Sequence, residues 1–116
     1  MKSSMIIHPD EISKKWIDKL ALCGVSTLGI HPSGGKDSVL SLTNLVKNLK
    51  TREYRELIDY AYEKGLTVEY EFHAAGYLLP RGLFSEHPEY FRVNKDGERT
   101  KDCNLCPSSK EAVGIF

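Results

Sequence analysis

Glu71 and His73 have the residue types and the spacing of a ligand-binding pair. They close the alternating run of residues 66–73, and residues two apart in a strand point to the same face, with His73 nearer the carboxyl end. A carboxylate accepts hydrogen bonds from sugar hydroxyls and an imidazole donates or accepts them, so the pair can orient a sugar ring. The alternative is an internal pair that satisfies polar groups inside the fold. Glu69, deeper in the strand, is interpreted as structural.

Three more side chains follow or end predicted strands. His31 ends the β-rich run of residues 25–31 and either reaches the same ligand or packs within its loop. Tyr77 lies after the later strand and either stacks on a sugar face or covers the core. Arg81 has a planar guanidinium that can bind a carboxylate, such as that of a uronic acid, or form a surface salt bridge.

Cys103 and Cys106 have the spacing of a redox or zinc-binding pair. One pair supplies two of the four ligands of a tetrahedral zinc site, and no second pair or paired histidine motif lies nearby. The intervening Asn104-Leu105 is also unlike a typical redox motif. We therefore predict no metal and no cofactor, and assign Asn104, at a strand end, to ligand binding.

Other chemistries remain as alternatives. Residues 34–38, Gly-Gly-Lys-Asp-Ser, lie between a strand and a helix but lack the leading glycine of a phosphate-binding loop. His31, Glu71 and His73 could begin a divalent-metal site like that of a sugar isomerase. The same residues could also hold a sugar without turnover, in a non-catalytic domain.

The elements that position these residues alternate between helix and strand. The apolar spacing predicts a helix with Asp10 as N-cap that ends at Gly24, and then a buried strand at residues 25–31. Two helices follow, one from residue 37 or 38 and one after Thr51, the second ending at Gly65. The strand of residues 66–73 comes next.

Residues 74–102 form a long insert, and so large a connection is typical of a functional loop. Within it we predict a short helix at residues 80–87 and a hairpin turn at residues 94–97, Asn-Lys-Asp-Gly. Residues 103–106 would form another strand, and Ser108 or Ser109 would cap a final helix. This order is typical of a parallel sheet with right-handed crossovers.

The bulk composition, 116 residues with 41% hydrophobic and 28% charged, is that of one soluble domain. Sixteen basic residues balance sixteen acidic ones, so no net charge attracts nucleic acid or a membrane surface. No apolar run reaches the ~20 residues of a membrane span, and the N-terminus lacks a signal-peptide core, so we predict a cytoplasmic protein. Three cysteines are few and odd in number, which indicates reduced thiols.

Polar residues at strand ends favour a (β/α)8 TIM barrel, whose active sites assemble from strand carboxyl ends and the loops after them. A whole barrel needs roughly 250 residues. Residues 1–116 would therefore be its N-terminal portion, a single partial domain of two to three βα units with parallel strands.

The segments that carry a family likeness are residues 29–32 with Gly34-Gly35, 68–74, 78–81, 83–84, 86–92, 97–99 and 104–106. In them the chain resembles a bacterial family of uncharacterised, glycoside-hydrolase-like TIM-barrel proteins, distantly like α-glucuronidases and β-hexosaminidases. The likeness covers nearly the whole chain.

This resemblance implies a glycoside hydrolase acting on an oligo- or polysaccharide, with its catalytic carboxylates beyond Phe116. The fragment alone would then bind carbohydrate without turnover. The residues predicted to contact the substrate are His31, Glu71, His73, Tyr77, Arg81 and Asn104.

Overall fold

Three short parallel strands form the sheet that positions the candidate site. The computed structural model describes residues 2–102 and 104–115. Strands β1 (Ser4–Ile7), β2 (Thr27–Ile30) and β3 (Thr67–Tyr70) lie side by side in the order β1-β2-β3, all parallel. Their register aligns the last residues of the strands with one another. The result is a mixed α/β fold with an open sheet.

Three helices connect these strands: α1 (Lys14–Leu22) between β1 and β2, then α2 (Ser38–Asn48) and α3 (Arg52–Glu63) between β2 and β3. Helices α1 and α3 are in contact, since Asp18 accepts a hydrogen bond from the Tyr60 hydroxyl at 2.8 Å and pairs with Lys64 at 2.9 Å. Because the two helices touch, they cover the same face of the sheet.

The central strand carries the core of this part of the chain. Leu28 and Ile30 of β2 are completely buried, as is Ile17 of α1, and Leu45 of α2 is nearly so. Burying each such side chain stabilises the fold by about 1.5–3 kcal/mol relative to leaving it exposed. All four residues of β2 are buried, as expected for the middle strand of a parallel sheet.

The face of the sheet opposite Leu28 and Ile30 is more open. Successive residues alternate between faces, so Ser4 and Ile6 of β1 share this open face with Thr67 and Glu69 of β3. All four are exposed. Thr67 and Glu69 of β3 therefore face away from the side of Leu28 and Ile30, as the alternation of residues 66–73 predicts.

Two glycines end helices as predicted. Gly24 after α1 and Gly65 after α3 adopt positive φ angles of 70° and 79°. In each case the next N–H reaches back to close the helix, from Val25 to the Leu20 carbonyl and from Leu66 to the Ala61 carbonyl, both at 3.0 Å. These are Schellman motifs, in which a residue without Cβ is favoured at the left-handed position.

The predicted start of the first helix was wrong by three residues. Asp10 lies within a 3-10 turn, Pro9–Glu11, and the N-cap of α1 is Ser13, whose hydroxyl accepts the Trp16 N–H at 3.3 Å. Pro9 begins that turn because its fixed φ suits a first helical position. A serine cap three residues later serves the helix itself.

Strand β1 was not predicted, and the other two strands are shorter than predicted. β1 contains four residues and pairs only with β2, more than twenty residues away, so its existence depends on distant partners. The run of residues 25–31 contains β2 at Thr27–Ile30, and the run of residues 66–73 contains β3 at Thr67–Tyr70. Beyond the carboxyl ends of the strands, the His31 N–H donates to the Ile7 carbonyl and the Glu71 N–H to the Ile30 carbonyl.

The chain divides into two compact units, Met1–Phe72 and His73–Phe116. The second unit contains α4 (Ala75–Leu78), two 3-10 helices at Arg81–Ser85 and Pro88–Tyr90, and α5 (Lys110–Gly114). Within it Phe91 is completely buried, and the ring of Phe84 packs edge-on against it at 5.2 Å. The short helix predicted at residues 80–87 is the first of these 3-10 helices.

The predicted hairpin turn at residues 94–97 is confirmed. Asn94 N–H donates to the Glu98 carbonyl at 2.8 Å, and Gly97 adopts a φ of 83°. The Asn94 side-chain oxygen also accepts the N–H groups of Asp96 and Glu98, each at 2.9 Å. Asparagine and glycine therefore play the roles that this turn requires of them.

The strand predicted at residues 103–106 is wrong for the residues that can be described. Leu105 forms one isolated antiparallel bridge with Phe91 and does not join the parallel sheet. Cys103 lies outside the described residues. Ser109, rather than Ser108, caps the final helix, because its hydroxyl accepts the Ala112 N–H at 3.2 Å.

Candidate functional site

Two predicted residues, His31 and Glu71, meet at the carboxyl ends of neighbouring strands. His31 follows β2 directly and its N–H donates to the Ile7 carbonyl at 3.1 Å; Glu71 follows β3 and its N–H donates to the Ile30 carbonyl at 3.0 Å. These bonds continue the parallel ladder by one residue. His31 and Glu71 therefore occupy equivalent places on adjacent strands, on the same face as Gly29 and Glu69.

The side chains of this pair are close but accessible. Nδ1 of His31 lies 4.0 Å from Oε2 of Glu71, and the two side chains keep 32% and 53% of their exposure. That separation is longer than a direct hydrogen bond. A carboxylate acceptor and an imidazole thus lie side by side at an exposed strand edge, where both can bond to the hydroxyls of one ligand.

A third residue of this edge, His8, was missed by the sequence analysis. It follows β1 as His31 follows β2, so the register places the three strand-end residues His8, His31 and Glu71 in one row. His8 Nε2 lies 3.2 Å from the Ser33 hydroxyl. Once β1 was overlooked, nothing in the sequence distinguished His8 from an N-terminal loop residue. We call the row His8, His31 and Glu71 the strand-end row.

His73 lies beyond the strand that was predicted to place it beside Glu71. The strand was predicted to run through residue 73, but β3 ends at Tyr70 and residues 71–74 have no regular secondary structure. The period of two that puts alternate residues on one face therefore applies no further than the bond made by Glu71. His73 is exposed and belongs to the second unit.

The second unit also holds Tyr77, Arg81 and Asn104. Tyr77 lies on α4 and keeps 36% of its exposure. The Arg81 guanidinium lies 5.8 Å from the centre of the Phe91 ring, a cation–π contact, and its buried Nη1 has no hydrogen-bond partner among the described residues. Asn104 is exposed, with its N–H bonded to Asp102 at 2.9 Å. Of these three residues, Arg81 therefore has a buried side-chain nitrogen that makes no hydrogen bond to the described residues.

Cys106 lines a cleft of about 210 Å³ in the second unit, and neighbouring groups lower the pKa of its thiol. A hydrogen bond from the Arg99 side chain lowers the pKa of this thiol, and the backbone of Ser108 and Ser109 acts in the same direction. Such an environment favours the thiolate. The other half of the predicted pair, Cys103, falls outside the described residues, so the pairing itself stays untested.

No group of three or more His, Cys, Asp or Glu side chains suited to a metal ion occurs within residues 2–102 and 104–115. Residues 35–37, in the loop weighed against a phosphate-binding motif, form a 3-10 turn.

No helix in the described part of the chain is both long and apolar enough to cross a membrane. No family model matches the sequence, and no curated protein or solved structure matches it either.

Proposed function

We propose that this chain is the N-terminal part of a (β/α)8 barrel and that it binds carbohydrate at the carboxyl ends of its strands. Three parallel strands in sequential order, with α1 and α3 on one face, are compatible with the first units of such a barrel. In barrel enzymes the ligand is held by strand-end residues and by the loops that follow them.

The observation that carries this proposal is the contact between His31 and Glu71. The two groups are 4.0 Å apart, exposed, and fixed by backbone bonds at the ends of adjacent strands. A rigid sheet edge that presents an acceptor beside a group that can donate or accept suits a ligand rich in hydroxyls. His73, Tyr77, Arg81 and Asn104 remain predicted substrate contacts.

In the full-length protein the proposed reaction is glycoside hydrolysis. That reaction needs two carboxyl groups about 5–5.5 Å apart for retention or about 6.5–9.5 Å apart for inversion. We assign them to strands that follow residue 116 in the gene. This chain by itself then binds sugar without cleaving it.

Binding is tested by adding sugars to the isotope-labelled 116-residue chain and following its amide and imidazole NMR signals. The probes are glucose, glucuronic acid, N-acetylglucosamine, maltose and cellobiose. At least one sugar is expected to shift the signals of residues 31 and 71. Glu71→Gln should weaken that binding about 10-fold or more, the loss expected for hydrogen bonds to a charged group. Glu63→Gln on α3 is the matched control and should bind normally.

Two results would contradict the proposal. If no sugar shifts these signals, or if Glu63→Gln weakens binding as much as Glu71→Gln, the strand-end row does not bind carbohydrate. Shifts caused by Mg²⁺ or Mn²⁺ instead of sugars would favour the divalent-metal alternative. The barrel is tested separately, because coding DNA after the Phe116 codon should specify roughly 130 or more further residues in βα alternation.

A further inference from the structure

His8 and Ser33 form a connected polar pair at the first position of the strand-end row. His8 Nε2 lies 3.2 Å from the Ser33 hydroxyl, and the Ser33 N–H donates to the Ser41 hydroxyl of α2 at 2.8 Å. The serine is therefore tied on one side to the end of β1 and on the other to α2. Its side chain nevertheless lies at an exposed position.

The same histidine faces Asp10 with its other ring nitrogen. Nδ1 of His8 lies 3.3 Å from the Asp10 backbone nitrogen, as hydrogen-bond acceptor, and 3.7 Å from the Asp10 carboxylate. Serine, histidine and aspartate in this sequence of contacts are the components of a nucleophilic triad. Two chemistries are thus possible, an activated nucleophile or a binding hydroxyl, and the position of one proton decides between them.

The hydrogen bond from Asp10 determines that position. A backbone N–H can only donate, so a neutral His8 that accepts it carries no proton on Nδ1 and must carry its proton on Nε2. A protonated Nε2 donates to the Ser33 oxygen and cannot remove the serine proton. The carboxylate at 3.7 Å is beyond the range of a hydrogen bond that would hold the opposite tautomer.

We propose that His8 is a positioning residue that holds the Ser33 hydroxyl as a hydrogen-bond donor to the ligand of the strand-end row. This rests on the carbohydrate-binding function proposed above. Since the Ser33 oxygen accepts from His8, its own proton is available to an acceptor oxygen of the ligand. At the other end of the row, the Glu71 carboxylate accepts a hydrogen bond from a hydroxyl of the ligand. The ligand must therefore offer an acceptor near β1 and a donor near β3.

The proton position is tested first, by measuring the nitrogen-15 shifts of the His8 ring at about pH 8, where an ordinary imidazole is neutral. The Nε2-protonated form is expected. The Nδ1-protonated form, or covalent labelling of Ser33 by a fluorophosphonate, would overturn the proposal in favour of a nucleophile. This measurement needs no sugar, so it stands apart from the test of carbohydrate binding.

The binding role is tested with the sugar that binds the wild-type chain most tightly. Ser33→Ala should weaken that binding about 3- to 10-fold, the loss of one hydrogen bond. Ser85→Ala, on the second unit, is the matched control. In the Ser33→Ala background His8→Ala should add little, because His8 acts through that hydroxyl.

Unchanged sugar binding by Ser33→Ala, or additive losses in the double variant, would contradict the positioning role. If no sugar binds the wild-type chain, the carbohydrate proposal and the binding role fail together. The tautomer then still decides whether Ser33 is an activated nucleophile.

Discussion

Ile6 of β1 and Gly29 of β2 are partners on adjacent strands, and the Ile6 side chain lies close beside Gly29. A Cβ atom built at Gly29 would be 3.1 Å from Cγ1 of Ile6 and 3.5 Å from the Ile6 Cα and the Met5 carbonyl oxygen. Both residues are on the open face of the sheet, two positions before the strand-end row. A larger residue at position 29 therefore meets a side chain on the neighbouring strand and, close behind it, that strand's backbone.

Gly29→Val should destabilise the first unit by about 1–3 kcal/mol, the usual effect of overpacking. Gly82→Val is the matched control, since a Cβ there meets nothing within 4 Å. Urea unfolding followed by circular dichroism measures both variants. Ile6→Ala should recover part of the loss in the Gly29→Val background, and a full loss retained in that double variant would show that Ile6 is not the obstacle.

Tyr54 and Tyr60 of α3 should respond in opposite ways to removal of the hydroxyl. The Tyr54 hydroxyl is buried without a hydrogen-bond partner among the described residues, and burial raises the pKa of this group. The Tyr60 hydroxyl donates to Asp18. Tyr54→Phe should leave stability unchanged or raise it, because an unsatisfied buried hydroxyl is costly, whereas Tyr60→Phe should lower it. A substantial loss in Tyr54→Phe would mean that its hydroxyl has a partner. Thermal unfolding of the two variants makes the comparison.

The Asp102 carboxylate should make the second unit sensitive to acid. Partial burial raises the pKa of Asp102, but hydrogen bonds from the Asn104 N–H, Arg92 and Thr100 outweigh it, so the pKa is lowered. A group with a lowered folded-state pKa contributes stability above its unfolded value of about 3.9 and loses it as the pH falls through the folded-state pKa. Opening of this unit should therefore increase below about pH 4.

Amide hydrogen exchange at Arg92 and Cys106 measures that opening, because their N–H groups donate across the Phe91–Leu105 bridge to the Asn104 and Tyr90 carbonyls. Asp102→Asn should make the exchange rates less dependent on acid after correction for intrinsic exchange. The control is Asp96→Asn, since Asp96 bonds to Asn94 through its backbone N–H. Equal acid dependence in wild type and Asp102→Asn would rule out this carboxylate as the sensor.

Cys106 should react with iodoacetamide at a lower pH than an ordinary thiol. The Arg99 hydrogen bond lowers the pKa of Cys106, so half-maximal reactivity is expected below the usual range of about 8–9. Arg99→Gln should move that midpoint upward, whereas Lys110→Gln, a matched loss of charge on α5, should leave it in place. Peptide mass spectrometry separates Cys106 from the exposed Cys23. A midpoint unaffected by Arg99→Gln would contradict this role of Arg99.

Features that depend on residues close together in the sequence were predicted more accurately than features that depend on distant residues. Gly24, Gly65 and the turn at Asn94 and Gly97 were predicted correctly, because helix ends and turns depend on the φ angle and on hydrogen bonds within a few residues. The start of α1 was less accurate. Asp10 and Ser13 are both good caps, and the choice between them depends on the 3-10 turn that follows β1.

The candidate site was predicted in the same uneven way. His31 was predicted at the end of one β-rich run and Glu71 on the polar face of another, and their side chains are close. The shared face of Glu71 and His73 stays a prediction, because it required a strand that continues past Tyr70. His8 was missed because a four-residue strand has too little alternation to be recognised, so its residues gain meaning only from pairing with β2.

By itself the sequence determined that α1 ends before Gly24, that α3 lies between Thr51 and Gly65, and that a turn occurs at residues 94–97. It also placed the polar residues His31 and Glu71 near the ends of β-rich runs. Those features come from backbone geometry and from the spacing of apolar side chains, which are local. Only the tertiary structure decided that β1 exists, that the strands lie in the order β1-β2-β3, and that His8, His31 and Glu71 share one row. Hydrogen bonds between distant strands set that register, and no short stretch of sequence contains both partners of such a bond.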